Sequence, residues 1–142
     1  MSIDSNLDSK ELVRRYYEEL WNQWNFALAD TLIDADIAFR GSLGTEVRGR
    51  AGFTGYMESV RAAFPDFRNT VEEMIAEGDA LAARLTYEGT HRGALFGVPP
   101  TGRRIRYAGV AIFHFNGGRI VRGWVLGDTA GLKAQLEAGA RE

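Results

Sequence analysis

Apolar residues between positions 8 and 24 fall at Leu12, Val13, Tyr16, Tyr17, Leu20, Trp21 and Trp24. This is the i, i+3, i+4 rhythm of an amphipathic helix with one buried stripe. Asp8 followed by Glu11 resembles a capping box, with Asp where Ser or Thr is usual. A shorter helix is predicted over 26–33, its stripe formed by Leu28, Ala29, Leu32 and Ile33. A brief strand over 37–40 follows and ends in a glycine-bounded turn region, 41–49. The helical rhythm returns over 50–64 through Phe53, Tyr56, Met57, Val60 and Phe64. Pro65 stops it, because proline cannot extend the hydrogen-bond ladder.

Beyond Pro65 the period shortens from helical to alternating. Strands are predicted over 67–77, 80–91, 105–116 and 119–128. Gly78-Asp79 and Gly117-Gly118 mark two tight hairpins. A longer loop over 92–104 separates the hairpins, and a helix over 129–138 closes the chain. Helices gathered first and an antiparallel sheet afterwards, in the order α-α-β-α-β-β-β-β, describe an α+β fold. A curved sheet wrapped against its helices leaves a concave mouth suited to a small apolar ligand.

Composition trims the function classes. The 142 residues fit one domain, 1–142. Lys plus Arg number 17 against 19 Asp plus Glu, so no large basic field invites nucleic acid or an anionic membrane. The absence of Cys removes disulfides, thiol nucleophiles and thiolate metal sites. The only histidines are His91 and His114, in separate segments, and no carboxylate spacing suggests a metal. Residues 1–11 are polar and acidic, unlike a signal peptide. The longest apolar runs, Val110 to Phe113 among them, are far too short to span a membrane. A soluble cytoplasmic protein is expected. Glycine is abundant, at 17 residues, and reads mainly as punctuation between short apolar segments.

The last predicted strand carries the most chemistry. Arg122, Trp124, Leu126 and Asp128 share one face. With a two-residue Gly117-Gly118 turn, Asp128 sits opposite Tyr107, on a surface continuing through Gly109, Ala111 and Phe113. Desolvation there would raise its pKa toward neutrality and fit it for proton transfer. A one-residue slip instead sets it against Arg106 and turns the strand over. Asp128 also precedes Thr129-Ala130-Gly131-Leu132, so helix capping is the competing role.

Other residues carry two readings each. His91, in Gly89-Thr90-His91-Arg92-Gly93, could face a pocket mouth as a proton donor or could be a solvated loop residue. His114, beside a turn, reads as exposed. The first hairpin pairs Glu73 with Arg84, as a cross-strand ion pair or with Arg84 orienting a substrate oxygen. Tyr16, Tyr17, Trp21 and Trp24 read as core, and Trp124 as core or pocket wall. No Gly-x-Ser-x-Gly or strand-linked Gly-x-Gly-x-x-Gly occurs, so neither a serine nucleophile nor a nucleotide cofactor has support.

Several runs resemble one family. Glu19-Leu20-Trp21-Asn22, Ala63-Phe64-Pro65-Asp66, Gly89-Thr90-His91-Arg92-Gly93, Phe96-Gly97-Val98-Pro99-Pro100-Thr101-Gly102 and Trp124…Asp128-Thr129-Ala130-Gly131-Leu132 are similar to SnoaL-like polyketide cyclases. The likeness runs from about Asp8 to Leu136. The family belongs to the NTF2-like superfamily, whose fold is a cone-shaped α+β barrel. It implies intramolecular aldol condensation of a polyketide ester, without metal or cofactor, with Asp128 as the acid/base group. The resemblance also implies that His91 and Trp124 line the pocket, and it extends more weakly to Arg84 and Tyr16. The resulting expectation has Asp128 and His91 as catalytic residues. Trp124, Arg84, Tyr107, Phe113, Phe39 and Tyr16 surround a small hydrophobic substrate. A homodimer through the outer sheet face is expected by the same resemblance. Epoxide hydrolysis or isomerisation on the same cone, drawing on Asp128, Glu88 and Arg84, and a non-catalytic ligand-binding module are the alternatives.

Overall fold

The computed structural model describes residues 5–140. Residues 1–4, the start of the polar N-terminal stretch, and residues 141–142 lie outside the described residues. α1 spans Ser5–Arg15 and runs on as a wider, π-type turn over Tyr16–Trp21. Asp8 therefore lies within the first turn and is not the cap. Its charge there faces the partial positive charge of the helix N-terminus. Tyr16, Tyr17, Leu20 and Trp21 are all buried, as their spacing predicts.

The second helix is shorter than its pattern suggests. A 3-10 turn, Phe26–Leu28, leads into α2, Ala29–Leu32. Ile33, a β-branched residue, turns extended and opens β1, Ile33–Arg40, twice the expected length. β2, Glu46–Arg48, occupies part of the expected turn region, too short for alternation to reveal it. α3, Gly49–Ala63, buries Phe53, Tyr56, Met57, Val60 and Ala63 and ends just before Pro65.

β3 (Arg68–Glu77), β4 (Ala80–Thr90), β5 (Arg104–Asn116) and β6 (Arg119–Gly127) follow, and α4 (Thr129–Ala140) comes last. Among the described residues the strands form one sheet, ordered β2-β1-β6-β5-β4-β3. The sheet is antiparallel except for one pair: β1 runs parallel to β6. That pairing needs a long crossover, which the chain between them supplies.

Alternation puts Leu81, Ala83, Leu85 and Tyr87 of β4, and Ile105, Tyr107, Ala111 and Phe113 of β5, on the buried face. The helices lay aromatic rings on this face. Tyr16 meets Phe113 edge-on at 5.1 Å, Phe39 meets Phe53 at 4.8 Å, and Tyr87 meets Tyr107 at 4.8 Å. Part of the glycine excess is seating for these rings and not punctuation. A Cβ on Gly123 would come within 2.8 Å of Phe39, one on Gly89 within 3.0 Å of Phe64, and one on Gly109 within 2.5 Å of Tyr87.

The β5–β6 hairpin decides which face of β6 is inside. Gly117 and Gly118 have φ of +61° and +77° and pair Asn116 with Arg119, the expected two-residue turn. The register then shifts: Phe115 pairs with Ile120, but His114 pairs with Arg122. Val121 is the extra residue of a β-bulge. Beyond it, Gly123 and Val125 turn inward, while Arg122, Trp124 and Leu126 turn outward.

Candidate functional site

The bulge corrects the expected surroundings of Asp128. Its N–H donates to the Ala108 carbonyl at 2.9 Å, so it faces neither Tyr107 nor Arg106. Its Oδ1 accepts the Gly131 N–H at 2.9 Å, and its carbonyl accepts the Leu132 N–H at 3.1 Å. Asp128 thus caps α4. A Cβ at position 131 would collide with this carboxylate, so Gly131 is what lets it sit there. Asp128 is exposed, and its neighbour Gly127 lies against the interior. A Cβ on Gly127 would come 2.6 Å from the Ser42 carbonyl and 3.1 Å from the Tyr107 ring.

Trp124 is not core. It is 42% exposed on the outer sheet face. There it borders a recess of about 430 Å³ with Arg40, Val47, Arg48 and Arg122. The Arg40 guanidinium lies 5.6 Å over the Trp124 ring. Arg84 is also outside, in a 3.1 Å ion pair with Glu73, directly opposite it as the hairpin predicts. An exposed pair of this kind contributes little to stability.

His91 is neither at a pocket mouth nor solvated. It is 0% exposed. Its Nδ1 accepts the Thr101 N–H at 3.1 Å and lies 3.0 Å from Thr101 Oγ1. Its main chain bonds to Arg103 and Gly102, and Nε2 is buried without a hydrogen-bond partner. Next to it, Asp66 accepts the Thr90 N–H at 2.6 Å, the Thr90 hydroxyl at 2.7 Å and Arg104 at 3.1 Å. Burial raises the Asp66 pKa, but the Thr90 hydrogen bonds and the Arg104 charge outweigh it and leave the carboxyl below its ordinary value. The Phe64-Pro65-Asp66, Gly89-Thr90-His91 and Pro100-Thr101-Gly102 runs are therefore a latch joining α3, β4 and the 91–103 loop.

Burial lowers the His91 pKa, against an opposing pull from the Gly93 backbone. The unfolded chain then takes up a proton near pH ~6.5 while the folded chain resists it until lower pH. Stability is expected to fall as pH drops through this window. Melting curves at about pH 7.5 and about pH 5.5 should show a steeper loss for the wild type than for His91→Gln. Equal slopes would remove His91 as the cause.

Tyr16, Phe39, Tyr107 and Phe113 are all buried in the interior. The space left among the rings is about 20 Å³, room for one water. Tyr16, Tyr17, Ser42, Tyr56, Asn69 and Tyr87 are among the residues lining it. Desolvation raises the pKa of Tyr16, Tyr17, Tyr56, Tyr87 and Tyr107, keeping these phenols neutral. Among the described residues, no group of three or more His, Asp or Glu is placed to hold a metal. No described helix is long and apolar enough to cross a membrane.

The family pattern for SnoaL-like polyketide cyclases matches residues 11–136. The chain belongs to the SnoaL-like polyketide cyclase family. Solved structures share its α+β cone. The candidate polyketide cyclase IdmH from Streptomyces antibioticus is 31% identical, with a TM-score of 0.79 over 90% of this chain and 97% of that one. The candidate hydroxylase AclR from Streptomyces galilaeus is 30% identical, with a TM-score of 0.80 over 94% of this chain and 83% of that one. A candidate polyketide cyclase from Acidithiobacillus ferrooxidans is 29% identical, with a TM-score of 0.81 over 98% and 99%. No curated protein matches the chain.

In this SnoaL-like chain, Ser42, Asn69 and Tyr87 are interior groups that the sequence does not single out, while Tyr56 stands out there only as part of the stripe of α3. Tyr87 had a usable signal, since it alternates with Leu81, Ala83 and Leu85 on one strand face. Ser42 had none, because its place depends on the turn between β1 and β2.

Proposed function

We propose that this SnoaL-like chain is a cofactor-independent cyclase that closes a ring in a polyketide-type hydrophobic substrate, with Asp128 moving the proton. The observation that carries the reading is the position of Asp128. It is exposed at the end of β6, one residue past a glycine pressed against Ser42 and Tyr107. Asp128 takes a proton from a carbon flanked by carbonyls. The C–H electron pair becomes an enolate, which attacks a carbonyl carbon of the same molecule. The resulting alkoxide takes the proton back, so mass is unchanged. Rotation of the side chain releases Oδ1 from Gly131, while the main-chain bond from Leu132 keeps α4 in register. The substrate displaces rings to widen the interior space.

Incubation with a linear polyketide ester tests this reading. A product of unchanged mass with one carbonyl fewer supports it. A gain of one oxygen atom would instead align the chain with the hydroxylase description of AclR. The capped pose of Asp128 favours a second reading, a non-catalytic binding module, which predicts saturable binding and no new product.

The reading includes a homodimer through the outer sheet face. Val110 pairs with Leu126 and Ile112 with Trp124, a cross-strand block of four apolar side chains. They are 42%, 52%, 37% and 42% exposed respectively, the kind of contiguous patch that marks an interface. Sedimentation should show a dimer for the wild type and a monomer for Leu126→Arg. A wild-type monomer would remove the dimer.

A further inference from the structure

We propose that Tyr56, with Ser42 and Tyr107 beside it, is the hydrogen-bonding end of the aromatic interior and receives the substrate carbonyl oxygen on which enolate charge collects. This rests on the cyclase reading above and names the groups that would stabilise its intermediate.

The turn between β1 and β2 builds this corner. Gly41 N–H donates to the Thr45 carbonyl at 2.9 Å, closing the turn and directing Ser42 and Leu43 toward the interior. Ser42 Oγ lies 2.9 Å from Tyr107 Oη. The Leu43 N–H donates to Tyr56 Oη at 3.4 Å. The Tyr56 ring occupies the space a Cβ on Gly41 would need, which fixes where its hydroxyl points. Tyr56 Oη accepts from the main chain and also interacts with the Ser42 hydroxyl, and accepting strengthens the hydrogen bond that its O–H can donate to a ligand.

Tyr56 differs from Tyr17 and Tyr87 in its electrostatics. Only burial and neighbouring phenols act on Tyr17 and Tyr87. Tyr56 also feels Ser42, the Leu43 N–H and the Arg40 charge, all favouring negative charge nearby. The Arg40 guanidinium is held in place by the Val125 carbonyl, and Val125, Ser42 and Tyr56 all line the interior space. When a base takes the α-proton, the carbonyl π electrons move onto oxygen. Preorganised donors out of water stabilise that oxygen more than the ground-state carbonyl. The remaining lining is mostly rings and aliphatic groups, so this corner orients the ligand as well.

The test compares 2-acetylnaphthalene with 2-ethylnaphthalene, which has a similar shape but no carbonyl. Binding is followed by quenching of tryptophan fluorescence, since Trp21 lines the same space. Tyr56→Phe keeps the ring over Gly41 and removes only the hydroxyl. It is expected to weaken the ketone roughly ten-fold and the ethyl compound by less than about two-fold. Ser42→Ala is expected to act in the same direction with a smaller loss. Infrared spectra should show the bound ketone C=O stretch at lower frequency in the wild type than in Tyr56→Phe. Equal weakening of both probes, unchanged ketone affinity, or failure of the wild type to bind either probe would overturn the proposal. Neither probe reacts, so the outcome is independent of Asp128. Full turnover in Asp128→Asn with ketone discrimination intact would end the proton-transfer reading and leave this one standing.

Discussion

Replacing Asp128 with Asn is expected to cut ring closure by about 10²–10⁴-fold, the usual contribution of a positioned acid/base group, and to leave the fold intact. The substitution separates the capping role this residue has in the structure from the acid/base role proposed for it. Asn caps helices about as well as Asp, so the acceptor for the Gly131 N–H survives. An amide oxygen does not take up a proton near neutral pH, so the chemistry does not survive. Asp128→Ala removes both roles and should cost an additional ~1 kcal/mol of stability. The informative result is the pair. Loss of turnover in both variants, with loss of stability only in the alanine variant, assigns the proton to Asp128. Undiminished turnover in Asp128→Asn would make the residue a cap alone and move the binding-module reading into first place.

The two readings of Asp128 show how far the sequence carries. Helical and alternating periods located α1, α3 and β3 to β6, because each presents one face to a core large enough to impose the pattern. β2 escaped, since three residues cannot display a period. The decisive miss was Val121. Nothing in Ile120-Val121-Arg122 announces a bulge, yet one extra residue moves Trp124 from the expected pocket wall to the outer face. Tyr16, Phe39, Tyr107 and Phe113 lie on elements other than the bulged strand, so the shift leaves them on the buried side of the sheet. The most recognisable motif residues had a different fate. Thr90, His91, Asp66 and Thr101 are conspicuous in sequence, but they hold a loop to the end of the sheet. Motif strength reports how tightly a geometry is specified, and here that geometry is a latch.

Phe113→Ala is expected to cost about 3–5 kcal/mol, the range for removing a fully buried phenylalanine. Phe113 is 0% exposed on β5, meets Tyr16 at 5.1 Å and Tyr17 at 6.0 Å, and lies opposite Gly123, which has no side chain to fill the gap. The Phe39 ring is already seated against Gly123, and Tyr16 and Tyr17 are held in the packed helix, so little is free to collapse into the space. The hole would therefore persist and extend the aromatic interior beside Tyr16. Its apolar lining would keep it dry, so a small apolar guest such as benzene should bind there and recover part of the lost stability. Denaturant unfolding with and without benzene measures both effects. A loss below about 1.5 kcal/mol, typical of swaps that leave no hole, would show that the rings close the gap. The interior would then be plastic, and entry of a flat substrate would need correspondingly little work. A large loss recovered by benzene means a rigid aromatic frame in which ligand entry depends on the movement of whole elements, among them α1 and its π-type turn, which brings Tyr16, Tyr17 and Trp21 to the interior space.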